Sequence, residues 1–133
     1  MKLEMNQMTV QFQKNILIHA ISTTILETGL QDKENLEHNL RVGIEHELYL
    51  LSEIFDIAVC DIIPFLMMFE SSKTTLNVNG KEATISSGFE AAMNAYVVRV
   101  SYNEDDMRNL CYIKKEVCIK CSIINDQLDV AWF

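Results

Sequence analysis

Thr74-Thr75-Leu76-Asn77-Val78-Asn79-Gly80-Lys81-Glu82-Ala83-Thr84-Ile85 is the stretch at which the chain changes period. Asn79-Gly80 accepts the positive φ that a two-residue hairpin turn requires, and the flanking residues are strand formers, so 74–85 is predicted to be a β-hairpin. Everything before it repeats at three- and four-residue steps. Much of the chain beyond it alternates.

Upstream, Phe12, Ile16, Leu17, Ala20, Ile21, Thr24 and Ile25 lay one apolar stripe along a helix over 12–28 that ends at Gly29. Asp32 then offers an N-cap. Leu36, Leu40, Ile44, Leu48, Leu51 and Phe55 carry a second helix over 33–57. A third is expected over 62–70, capped by Asp61 with Pro64 in its first turn, where a missing amide hydrogen leaves no acceptor unsatisfied.

Downstream, Ser87 with Glu90 three residues later reads as a capping box for a short helix near Phe89–Ala95. Residues 88–102 fit both periods, and β-branched and aromatic density favours a strand over 96–102. From Cys111 to Ile123 apolar and polar residues alternate, which predicts a long antiparallel strand over 111–124. A turn at Asn125-Asp126-Gln127 returns 128–132 alongside it. Helices first and strands second is the pattern of an α+β fold, with helices on one face of an antiparallel sheet. At 133 residues and 49% apolar content the chain, 1–133, is expected to form a single domain around its own core.

The net charge of −8 is unevenly spread: residues 1–70 hold 4 Lys/Arg against 11 Asp/Glu, and residues 71–133 hold 7 against 8. An acidic first half disfavours direct nucleic-acid binding, because phosphates seek basic surfaces. The opening residues lack the charged-then-apolar layout of a secretory leader, and the greasiest run, Ile57 to Phe69, contains Asp61 and Pro64. It falls short of the roughly 20 apolar residues a membrane helix needs. A cytoplasmic location is therefore expected, with no membrane association and free thiols.

Chemical motifs are sparse. Cys118-x-x-Cys121 has no turn residue between its thiols, and positions three apart on a strand face opposite sides of the sheet, so no metal site is expected. His46-Glu47 lacks the second His one turn on that a zinc-protease helix needs, position 50 being Leu. Ser86-Ser87-Gly88 has neither the spacing of a phosphate loop nor that of a nucleophile elbow. Glu104-Asp105-Asp106 falls in an expected solvated turn, where carboxylates stay ordinary. No enzyme activity and no cofactor are predicted.

Residues 47–63, Glu47-Leu48-Tyr49-Leu50-Leu51-Ser52-Glu53-Ile54-Phe55-Asp56-Ile57-Ala58-Val59-Cys60-Asp61-Ile62-Ile63, resemble the final-helix region of Cro/repressor-type helix-turn-helix proteins. The stretch between Gly29 and Glu47 is too short for that family's two middle helices, and no basic recognition helix accompanies it. DNA binding is not inferred.

The second helix carries the more informative constellation. Glu34, Glu37, Glu45, Glu47, Glu53 and Asp56 are offset only by Lys33 and Arg41, and Tyr49 supplies an aromatic anchor. Such a helix steers a basic protein partner, which points to a small inhibitor of the immunity-protein, antitoxin or anti-defence type acting on a basic, nuclease-like enzyme. The alternative is a ligand-sensing domain with a pocket between helices and sheet, Met67 and Met68 being the nearest lining candidates. A homodimer through a free strand edge is a further expectation, and Trp132-Phe133 is expected to be buried.

Overall fold

A computed structural model describes residues 7–67, 71–106 and 111–133, with side chains from Leu17 onward except those of 105 and 106. The first helix, α1, spans Gln7–Thr28, starting earlier than the apolar stripe suggests. Of that stripe, Leu17, Ile21 and Ile25 are buried, while the side chains of Phe12 and Ile16 lie outside the described set. Gly29, at φ 82°, ends the helix by donating its amide to the Ile25 carbonyl at 2.8 Å.

The second helix, α2, spans Lys33–Ile54, and its N-cap Asp32 accepts the Asn35 amide at 3.2 Å. Leu36, Leu40, Ile44, Leu48 and Leu51 are buried along one side. The helix stops short of the expected 57. Asp56 turns into the left-handed region at φ 51°, its amide donating to Glu53 O at 3.2 Å, while Ile57 N donates to Ser52 O at 2.9 Å. That pair of bonds is a Schellman termination, usually built on Gly. A 3-10 turn over Val59–Asp61 leads into α3, Ile62–Leu66, which ends before the expected 70; residues 68–70 lie outside the described set. Asp61 does not cap it. Its backbone, at φ −101° and ψ 2°, lacks the extended geometry from which a side chain reaches the helix amides.

Five strands come next: β1 Ser72–Val78, β2 Lys81–Glu90, β3 Ala95–Asp106, β4 Cys111–Ile124 and β5 Gln127–Trp132. They form an antiparallel meander in the order β1-β2-β3-β4-β5. Asn79 and Gly80, at φ 52° and 86°, make the expected two-residue turn, and Asn125 and Asp126 make a second one at φ 52° and 63°. The protein is α+β, with helices preceding the sheet.

The expected helix near Phe89–Ala95 is absent. Ser87 through Glu90 continue β2, paired with Val98 through Ala95, and Ala91 to Asn94 form the connecting turn, with Asn94 at φ 48°. Ser87 faces the core instead of capping, and Glu90 binds Arg99. Tertiary pairing overrode a local signal that strand and helix share. Likewise, Glu104 to Asp106 extend β3 and do not form a turn.

Cross-strand register sorts the side chains. Ile85, Val100 and Val117 form one inward row, and Tyr96, Cys121 and Val130 form another. These meet Leu36 to Leu51 of α2 and Leu17 to Ile25 of α1 in a common apolar core. At about 25 cal/mol per Å² of apolar surface removed from water, each fully buried Leu or Ile here contributes on the order of 2 kcal/mol. The opposite face of the sheet carries the row of Lys73, Ser86, Arg99 and Cys118. Trp132 and Phe133 are not buried: each is about half exposed, 51% and 50%. A guanidinium covers each ring instead, Arg41 over Trp132 at 5.2 Å and Arg99 over Phe133 at 5.3 Å.

Candidate functional site

Two charged surfaces exist, one on each side of the core. On the outer sheet face, register places Lys73, Ser86, Arg99 and Cys118 in one row and Thr75, Thr84, Ser101 and Glu116 in the next. Arg99 donates to both oxygens of Glu90, at 3.1 and 2.9 Å, and its other terminal nitrogen lies 3.6 Å from Glu116. Ser101 donates to Glu116 at 3.2 Å, and the Cys118 thiol donates to the same carboxylate at 3.0 Å. That thiol bond, with Ser101 and Arg99 behind it, holds the Glu116 carboxyl below its usual range. Burial and then Glu116 push the Cys118 thiol up to about 11, so it is a proton donor and not a nucleophile. The groups around Arg99 thus bond one another, while Lys73 and Lys114 beside them form no ion pair among the described residues.

Cys121 is on the inward face, where burial raises its thiol to about 12. As the strand geometry requires, it does not meet Cys118. Among the described residues, no three His, Cys, Asp or Glu side chains come together to hold a metal ion. No helix among them is long and apolar enough to cross a membrane. Met67 is exposed and lines none of the described cavities, and Met68 lies outside the described residues.

The helical side differs. Over residues 17–67, Glu27, Asp32, Glu34, Glu37, Glu45, Glu47, Glu53, Asp56 and Asp61 stand against Lys33 and Arg41. One ion pair forms among the described residues of these helices, Lys33 to Glu37 at 3.8 Å, one turn apart. Arg41 is turned toward Trp132, with its Nε buried and without a hydrogen bond. The layer's second cation is therefore committed to a ring.

The carboxylates of α2 do not form a single stripe. At 3.6 residues per turn, Glu34 and Glu45 share the flank away from α1, and Glu53 lies on the outermost side. Glu37 points toward the sheet, close enough to Tyr102 to help burial and Glu104 raise that phenol. Glu47 lies in the seam with Leu17, Ala20 and Thr24 of α1. Glu34, Glu53, Asp56 and Tyr49 are exposed, while Glu37, Glu45 and Glu47 are half-buried.

Sequence reasoning passed over a groove where the two helices meet at their adjoining ends, lined in part by Glu27, Thr28, Asn39 and Gly43. The available signal was Gly43, a costly residue inside a helix unless a neighbour must come close. A Cβ there would stand 3.2 Å from Thr24 Oγ1. No family model, no curated protein and no solved structure matches this chain, so the reading of its surfaces rests on their own geometry.

Proposed function

We propose that the chain is a small acidic inhibitor, of the immunity-protein, antitoxin or anti-defence type, that neutralises a basic enzyme such as a nuclease by stoichiometric binding through its helical layer. The observation that carries this reading is the contrast in charge pairing. Glu34, Glu45, Glu53 and Asp56 have no cationic partner among the described residues, while the charged groups around Arg99 on the sheet are mutually bonded. Unpaired carboxylates on a rigid helix raise the encounter rate with a positive surface and fix its register. Tyr49, exposed between them, adds anchor area at low entropic cost.

The test is capture and titration. Immobilised chain is exposed to an extract of its source cells at low salt, and any basic protein retained is purified and assayed against rising amounts of free chain. Inhibition saturating at one chain per enzyme, and lost in Glu34→Lys/Glu45→Lys/Glu53→Lys, is the expected result. Retention unchanged by that triple reversal, or a melting temperature that responds to a metabolite and to no protein, contradicts the proposal.

A further inference from the structure

We infer that the groove between the C-terminal end of α1 and the N-terminal half of α2 is a seat for one arginine side chain of the basic partner. This inference rests on the reading of the helical layer as the docking side and specifies what enters it. The groove has a volume of about 400 Å³, ample for a long side chain lying in it and open to solvent. Its floor is low because Gly43 lets α1 approach, and Val42 offers an apolar wall on which an aliphatic stem can lie.

The hydrogen-bonding capacity of the groove is weighted toward acceptors. Asn39 donates its amide nitrogen to the Thr28 hydroxyl at 2.9 Å, which leaves the Asn39 carbonyl oxygen free to accept. Thr24 spends its hydroxyl proton on the Ala20 carbonyl at 3.0 Å. Glu27 is exposed at the rim and has no ion-pair partner among the described residues. No Lys or Arg among the described residues lines the cavity; His38 is its remaining ionisable neighbour. A carboxylate and an amide carbonyl on two facing helices suit a planar group with several divergent N–H donors, which describes guanidinium better than a compact ammonium.

A test that needs no partner uses N-acetyl-arginine amide as the probe, followed by backbone amide shifts of the 15N-labelled chain. Saturable shifts confined to Thr24, Glu27, Thr28, Asn39, Val42 and Gly43 are expected. Glu27→Gln should weaken binding roughly two- to fivefold, the worth of an exposed ion pair. Glu82→Gln, an exposed carboxylate of β2 outside the groove, should leave it unchanged. Shifts that are scattered and unsaturable, that appear equally with N-acetyl-citrulline amide, or whose affinity is unchanged by Glu27→Gln overturn the seat. Equal binding of N-acetyl-lysine amide overturns its assignment to arginine. Because the probe replaces the partner, a silent groove and a failed capture are separate results: the first removes this inference and leaves the inhibitor reading standing.

Discussion

The helical layer and the Arg99 cluster of the outer sheet face carry charge in opposite ways. On the sheet, Arg99 is surrounded by Glu90, Glu116, Cys118 and the Phe133 ring, so that its charge is spent inside the molecule. On the helices, carboxylates outnumber cations and form one long ion pair among the described residues. Charges that bond each other hold a structure together, whereas charges left facing water contribute little to folding and are free for an encounter. The contrast ties the Arg99 cluster to stability, and it is the basis on which we propose the helical side for recognition.

The largest effect should come from the core that both sides share. Leu48→Ala, at a fully buried position of α2, should cost about 2–5 kcal/mol in denaturant unfolding and sets the scale for the rest. If the sheet network is structural, Arg99→Met should cost about 1–2 kcal/mol, since it strands Glu90 and Glu116 at a half-exposed site. Glu34→Gln/Glu45→Gln/Glu53→Gln should change stability by no more than about 0.5 kcal/mol per site. A triple substitution as costly as Arg99→Met would erase the distinction between the two faces.

The pH dependence sharpens it further. The Glu116 carboxyl is held below its ordinary 4.5, first by the Cys118 thiol and then by Ser101 and Arg99. The unfolded chain therefore takes up that proton at higher pH than the folded one. The network's contribution is present above pH 4.5 and is lost as pH falls below it. Glu116→Gln should flatten this acid limb. At the other end, the thiols of Cys118 and Cys121 rise from 9.0 to about 11 and about 12, chiefly through burial. They ionise first in the unfolded chain, so stability is full below pH 9 and declines as pH climbs beyond it. In a thiol-labelling time course, exposed Cys111 should react first and buried Cys121 only on unfolding.

A further expected effect is local. Asp56 holds a left-handed conformation at the end of α2, so Asp56→Gly should raise stability by a few tenths up to about 1 kcal/mol, a gain visible in the unfolding midpoint.

The two sides also differ in how far they could be read from the chain. Periodicity exposed the α2 seam and the alternation of β4, and Asn79-Gly80 marked the hairpin, because each signal is carried by neighbouring residues. Ser87 and Glu90 misled, since the same spacing that builds a cap also puts two residues on opposite faces of a strand. The sheet network was beyond local reading: Arg99 meets Glu90 and Cys118 only through the register of three strands. Acidity on α2 was plain from its composition, but the packing of α1 decides that Glu47 faces a seam and Glu53 faces water.

Unpaired helical carboxylates available to a positively charged protein are most directly tested by association kinetics. The rate constant for binding the captured basic protein would be measured by stopped flow as ionic strength is raised, for the native chain and for Glu34→Lys/Glu45→Lys/Glu53→Lys. Electrostatic steering gives a rate that falls steeply with salt in the native chain and is slower and nearly flat in the reversed one. Equal rates with equal salt dependence would contradict it.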